Sequence, residues 1–389
     1  MYLDSEEQKI LDGEYGQTRQ KMMEILFALG KVFGAERMVP IRSAQVAGAS
    51  YKTIGQYGLE WLRSLDARVV VPTVLNPVGM DRKKWRDMQI SPDFAQKQEE
   101  VIEAYARLAV KMECTCTPYY VTQTRYGDHL AWSESSAVAY ANSVIGARTN
   151  REGGPSALAA AIIGKTPEYG LHRLDERKPN VLIEVEGLPE DPDIAFFGAL
   201  GYHAGTQVGN RIPLFVGIRP RKDQLKALGA AMAASGAVAL FHVEHITPEA
   251  RIFSFDSSEL EKIQLDCPGI SRSFQEMPVD AVAIGCPHCS PDELHQIARL
   301  LKGKSVRIPL FIFAARGVIE KNMVIVEEIE KSGAGVFSDT CMVVSPAMER
   351  FNAIMVNSGK AFAYVPNMCG AAVRLGTTEE CIGVATKAE

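Results

Sequence analysis

Ala227-Leu228-Gly229-Ala230-Ala231-Met232-Ala233-Ala234-Ser235-Gly236-Ala237-Val238-Ala239-Leu240-Phe241 is the longest apolar run of the chain, and its reading decides the fold. A membrane span needs about 20 apolar residues, and this run is too short and broken by Ser235-Gly236. It reads instead as a helix that stops at Ser235-Gly236, followed by a buried strand over Val238-Ala239-Leu240-Phe241. A helix feeding directly into a buried strand is the unit of an α/β layer.

The same alternation extends outward in both directions. Ser5-Glu6-Glu7-Gln8 fits a capping box for a short first helix ended by Gly13. Amphipathic helices are predicted over 17–32, 52–65 and 92–110, the last with Pro92 at its start. A β-branched strand, Val69-Val70-Val71, precedes the turn Asn76-Pro77. Ser133 to Val144 reads as a helix rich in small residues, closing at Gly146. The polar, Gly-rich loop 147–156 leads into a helix over 157–163. Arg211-Ile212-Pro213-Leu214-Phe215 and Arg307-Ile308-Pro309-Leu310-Phe311 echo each other, each entering an apolar strand. The best linkers are 186–192 and the turn-rich stretch 254–278. The expected architecture is α/β, built on largely parallel sheets.

Composition excludes several classes. The chain has 389 residues, 47% of them apolar, and a net charge of −5. That is a globular profile with ample core, and the length suggests two or three domains at about 150 residues each. The acidic balance gives no electrostatic case for nucleic acid or an anionic membrane. The start, Met1-Tyr2-Leu3-Asp4-Ser5-Glu6-Glu7, lacks the build of a signal peptide. A cytoplasmic location is expected, where cysteines are thiols or metal ligands rather than disulfides.

Familiar motifs are few. No Gly-x-Gly-x-x-Gly follows a strand, and Gly303-Lys304-Ser305 has Ala298 where a phosphate loop needs glycine. His242-Val243-Glu244-His245 is one residue short of an inverted zincin pattern and reads as a solvated strand end. The eight cysteines say more. Cys114 and Cys116 follow a helix, Cys286 and Cys289 end the strand Val282-Ala283-Ile284-Gly285, and Cys341 ends Gly335-Val336-Phe337. Ligands collect at the carboxyl ends of strands in open α/β sheets, so three thiol groups can converge there. Cys267 and Cys381 read as inert core. Zinc wants a second Cys-x-x-Cys pair, which is absent. Scattered single cysteines suit an iron–sulfur cluster held by three thiolates, whose remaining iron can act as a Lewis acid. Gly48-Ala49-Ser50-Tyr51-Lys52 sits just before a helix, where backbone N–H groups favour an anion. Asn142-Ser143, Arg148 and Arg151 offer further donors.

The segments Gly48–Gly55, Cys114–Tyr119, Gly146–Ser156, Gly285–His288 and Ser338–Cys341 together resemble the aconitase X family, over nearly the whole chain. The chain length and the Cys114-Thr115-Cys116-Thr117-Pro118-Tyr119 form are most similar to its archaeal large subunits. The resemblance implies three-layered α/β domains like domains 1–3 of aconitase, here 1–160, 161–278 and 279–389. It implies a [4Fe-4S] cluster on Cys116, Cys286 and Cys341, with Cys114 and Cys289 as rivals to their neighbours. It implies a small anionic substrate gripped by Gly48, Ala49 and Ser50 with Asn76, Pro77, Asn142 and Ser143. The implied reaction is a hydro-lyase step, the dehydration of (R)-5-phosphomevalonate to trans-anhydromevalonate 5-phosphate in a modified mevalonate route to isoprenoids. A separate small subunit would complete a heterodimer and carry the base, a serine in aconitases, so no catalytic base is nominated here. The alternatives are a cis-3-hydroxy-L-proline dehydratase and, in another class, a non-catalytic iron–sulfur sensor or RNA-binding protein.

Overall fold

The computed structural model describes residues 1–270 and 275–387. Three parallel sheets organise it. The first has Ala44–Val46 at its centre, between Thr73–Leu75 and Ala131–Trp132. The second runs in the order His242–Val243, Pro213–Val216, Val181–Glu186, Glu261–Asp266. The third has five strands, ordered Gly335–Phe337, Leu310–Ala314, Ala281–Cys289, Ala353–Val356, Ala372–Leu375. Among the described residues, the one antiparallel strand pair joins Met38–Pro40 to Lys165–Pro167, so pairing within the first unit extends past residue 160.

Helices cover these sheets because their apolar faces need partners. Gln17–Val32 buries Met22, Met23 and Leu26 against the helix Gly154–Ile163, which is buried from Ser156 to Ile162. Ile194–Val208 and Lys222–Ser235 pack closely on each other, with Gly201 and Gly205 set against the backbone of Leu228 and Met232. One continuous core runs from Phe197, Leu228 and Phe241 of the second unit to Phe313, Met342 and Val365 of the third. Among the described residues, no helix is long and apolar enough to cross a membrane.

The helix predicted over 17–32 has those bounds, and those predicted over 52–65 and 92–110 run Tyr51–Ser64 and Pro92–Arg107. Several local readings are corrected. The first cap is Asp4, not Ser5: its carboxylate accepts from Glu7 N, and the Glu7 carboxylate accepts from Asp4 N, each at 2.8 Å. Val69-Val70-Val71 bends at Val70 and Val71, its Val69 and Val70 amides donating to the carbonyls of Leu108 and Ala161, and Val70 is exposed; the strand is Thr73–Leu75. Val238–Phe241 is buried but irregular, and the strand is His242–Val243, so His242 and Val243 are core while Glu244 and His245 are exposed. The helix predicted from Ser133 runs Ser135–Tyr140 and continues as a wider turn over Ala141–Ile145. Residues 186–192 join a strand to a helix of the same sheet rather than linking domains. The stretch 254–278 contains the strand Glu261–Asp266, and its residues 271–274 lie outside the described residues.

Candidate functional site: three cysteine loops around a buried ion pair

The loops at the strand ends meet because the strands are parallel and open in one direction. Ala281–Cys289 is buried at every position, and its register with Leu310–Ala314 shifts between Ile284 and Cys289. The shift starts at Gly285, whose φ is +106° and whose missing Cβ would lie 2.3 Å from Phe313 O. Only glycine fits there, and it turns Cys286-Pro287-His288 out of the ladder.

Cys116 lies beyond Glu113-Cys114-Thr115, which borders Thr73–Leu75: Leu75 N donates to Glu113 O (3.0 Å) and Thr115 N to Leu75 O (2.8 Å). Cys341 follows Gly335–Phe337 through Ser338-Asp339-Thr340, which is zipped to the Asn76-Pro77 turn where Val78 N donates to Asp339 O at 2.7 Å. Asp339 sits at φ +63° and forms an ion pair with Arg316.

All eight cysteines are free and buried. Cys116, Cys286 and Cys341 lie within electrostatic reach of one another and of Lys360. Burial pushes the Cys286 thiol up to about 12 and raises Cys116 and Cys341 as well, while the Lys360 charge opposes that rise in all three. The amides of Val343 and Val344 also favour the Cys341 thiolate. Different charges act on their rivals. Burial raises both thiols; the Arg82 and Arg316 charges oppose that rise at Cys114, and the Lys226 charge opposes it at Cys289, where Glu293, Asp223 and Cys116 add to it. Cys381 lies inside the helix Thr378–Thr386, in an apolar cluster that holds Cys289 but neither Cys286 nor Cys341.

Lys360, near the start of the helix Gly359–Cys369, is buried and forms an ion pair with Glu134. Burial opposes both charges, but mutual attraction and hydrogen bonds outweigh it, so Glu134 is held below the usual carboxylate range and Lys360 is raised. Glu134 also caps the helix Ser135–Tyr140 through Ala137 N at 2.9 Å, and Lys360 donates to Ser136 Oγ at 3.1 Å. Neither residue shows a sequence signal, because 226 residues separate them.

The other sequence-nominated residues divide into two groups. Gly48 has φ +81°, and its carbonyl accepts from Tyr105 OH at 3.2 Å; the Ala49 carbonyl accepts from Gln98 Nε2 at 2.8 Å. Ser50 precedes Tyr51–Ser64, but its side chain does not cap that helix; Oγ lies 3.5 Å from Val344 O, just past Cys341. Asn76 Oδ1 is buried with no partner, and so is Thr340 Oγ1. Gly48–Ser50 and Asn76-Pro77 therefore lie on the side of the Cys341 loop. Asn142 is committed elsewhere. Its Nδ2 donates to Thr149 O and Ala239 O (both 2.9 Å), and its Oδ1 accepts from Thr149 N (3.0 Å) and Arg177 Nη1 (3.1 Å). Ser143 Oγ accepts from Phe241 N at 2.8 Å. Arg148 and Arg151 reach backbone carbonyls of His172 and Ala237.

Family models described as the first, second and third domains of aconitase X match residues 1–175, 179–275 and 279–387. The chain belongs to the aconitase X family. It is 54% identical to the phosphomevalonate dehydratase large subunit of Methanosarcina mazei, over 99% of this chain and 97% of that one. It is 31% identical to a cis-3-hydroxy-L-proline dehydratase of Hypocrea jecorina, over 98% of this chain but 68% of that one. The crystal structure of Thermococcus kodakaraensis aconitase X in its holo-form superposes with a TM-score of 0.91 at 46% identity, covering 99% of this chain and all of that one. The α/β architecture expected from the sequence is thus the fold of this family.

Proposed function

We propose that this chain is the large subunit of a hydro-lyase that dehydrates (R)-5-phosphomevalonate to trans-anhydromevalonate 5-phosphate. The observation that carries this reading is full-length similarity to phosphomevalonate dehydratase large subunits, at 54% and 45% identity in two archaea, on a chain in which the charge of one buried lysine acts on the thiols of Cys116, Cys286 and Cys341. The hydroxyproline enzymes are less similar and longer, this chain spanning 68–70% of their length.

Cys116, Cys286 and Cys341 would hold a [4Fe-4S] cluster. The donor set fits that group. The thiols are soft ligands from three separate segments, each buried and unpaired with another cysteine. Cysteines of a cubane each bind a different iron, so single thiols from separate segments suit a cluster. When bound, the cluster would offer the iron that lacks a protein ligand as a Lewis acid toward the leaving hydroxyl.

The chain's own residues would position the substrate. Gly48-Ala49-Ser50 presents backbone N–H groups and a hydroxyl at a helix start, a setting suited to an anionic end. Asn76 and Pro77 would form the neighbouring wall, with Asn76 Oδ1 available to a ligand. Asn142 and Ser143 would act from the opposite side by fixing the loop between Ile145 and Glu152. Lys360 would balance negative charge on thiolates and substrate. A proton must also leave carbon, and the base for that step would come from a small-subunit partner, making the working enzyme a heterodimer.

The test is a substrate comparison on the complex of this chain with its small subunit, reconstituted anaerobically with iron and sulfide. Turnover of (R)-5-phosphomevalonate and none of cis-3-hydroxy-L-proline is the expected result. Turnover of hydroxyproline alone would overturn the assignment, and a stable cluster with no turnover of either would favour a sensing role.

A further inference from the structure

We propose that His288 is a positioning residue that ties the three cysteine loops into one preorganised mouth before any iron arrives. The inference rests on the ligand assignment above. Its imidazole is wholly buried. Nε2 faces the Thr340 carbonyl at 2.8 Å, and a carbonyl can only accept, so Nε2 carries the proton. Nδ1 of the neutral ring is then an acceptor, and the Thr115 hydroxyl donates to it at 3.0 Å. Thr115 Oγ1 in turn accepts from Thr117 N, also at 3.0 Å. The His288 amide donates to Cys116 Sγ at 3.1 Å, and Lys226 Nζ donates to the His288 carbonyl at 3.3 Å.

Every polar group of His288 is therefore used, and the pattern is directed. One bond ends on Cys116 itself, one on its neighbour Thr115 and one on Thr340, the neighbour of Cys341, while His288 stands two residues after Cys286. The tethered segments lie 173 and 52 residues away in sequence, so no local structure holds them together. A buried side chain whose polar groups are all bonded is held rigidly and fixes the segments it bonds. Metal sites depend on such outer hydrogen bonds to orient their ligands. His288 thereby sets where Cys116 and Cys341 point, without being a ligand.

The test uses the full, iron-free chain, so its outcome is independent of turnover. Iodoacetamide alkylation is followed cysteine by cysteine by mass spectrometry, with Cys381 as an internal control for general loosening. His288→Ala is expected to speed alkylation of Cys116 and Cys341 about tenfold, the equivalent of one lost buried hydrogen bond. Cys381 should not change. His288→Gln retains a donor toward Thr340 and should restore protection at Cys341 while Cys116 stays reactive. Thr115→Val removes one tether only, so it should expose Cys116 and not Cys341; it also carries the test if His288→Ala does not fold. Refilled with iron and reduced, His288→Ala should show shifted EPR g-values although all three cysteines remain. Unchanged alkylation at Cys116 and Cys341, or an equal increase at Cys381, would overturn the proposal.

Discussion

Asp81 accepts hydrogen bonds from both the backbone N–H (2.7 Å) and the hydroxyl (3.1 Å) of Ser338. Its other carboxylate oxygen accepts from the amides of Lys83 (2.7 Å) and Lys84 (2.9 Å). One buried carboxylate thus fastens the Asn76–Lys84 loop of the first unit to the strand end that carries Cys341. Asp81→Ala removes the acceptor for these donors and should cost roughly 2–3 kcal/mol. Asp81→Asn should recover part of that loss. Urea unfolding of the two variants is the check, and an unchanged midpoint for Asp81→Ala would mean that water replaces the carboxylate without penalty.

Cys116→Ser, Cys286→Ser and Cys341→Ser should each abolish cluster assembly, measured as iron and sulfide per chain after anaerobic reconstitution. Cys381→Ser should retain normal iron, because that thiol is buried in the helix Thr378–Thr386 and packs in a different apolar cluster from Cys286 and Cys341. Normal iron content in Cys341→Ser protein would sink the ligand assignment.

That Cys286 and Cys341 lie near the carboxyl ends of strands was legible in the sequence for a simple reason. An apolar strand that gives way to a loop marks a carboxyl end, and parallel sheets bring such ends together. Gln17–Val32 was legible because its apolar period is helical over four turns. Val69–Val71 misled because β-branching measures fit to a half-buried pleated surface, and here the sheet pairing falls at Thr73–Leu75, where both faces are buried. Asn142, near the end of a helix, was nominated as a substrate donor, yet tertiary contacts consume all its hydrogen-bonding capacity. Glu134 and Lys360 were invisible because neither has a meaningful local pattern; only folding makes them partners.

That ion pair gives a further prediction. Lys360→Met leaves Glu134 as an unpaired buried carboxylate and should destabilise the chain by about 3–5 kcal/mol. The double variant Lys360→Met, Glu134→Gln removes both charges and should recover much of the loss. Thermal or urea unfolding of the single and double variants decides this. A double variant as unstable as the single one would show that the Lys360 stem, rather than its charge, matters.

Two histidines outside the cysteine loops set a pH dependence. Burial, with the nearby Arg177 charge, pushes His242 down to about 4 despite its bond to the Arg177 carbonyl. Burial, with His129, Arg177 and Arg148, pushes His172 down to about 3. The unfolded chain takes up these protons near pH 6.5, whereas the folded chain refuses them until far lower pH. Stability contributed above pH 6.5 is therefore lost as pH falls toward 4, by about 2 kcal/mol per histidine between pH 7 and 5. Urea unfolding of the iron-free chain at those two pH values should show the drop. His242→Gln keeps a donor for the Arg177 carbonyl and should make the drop shallower; an identical slope would exclude His242 as a source.

The central claim is that Cys116, Cys286 and Cys341 hold a cluster with one iron left open for substrate. Mössbauer spectroscopy of the reconstituted two-subunit enzyme, enriched in iron-57 and recorded with and without (R)-5-phosphomevalonate, tests it most directly. The account predicts that the signal of a single iron moves on adding substrate while the others stay. A spectrum unchanged by saturating substrate would mean that no iron is open to it, and would contradict the account.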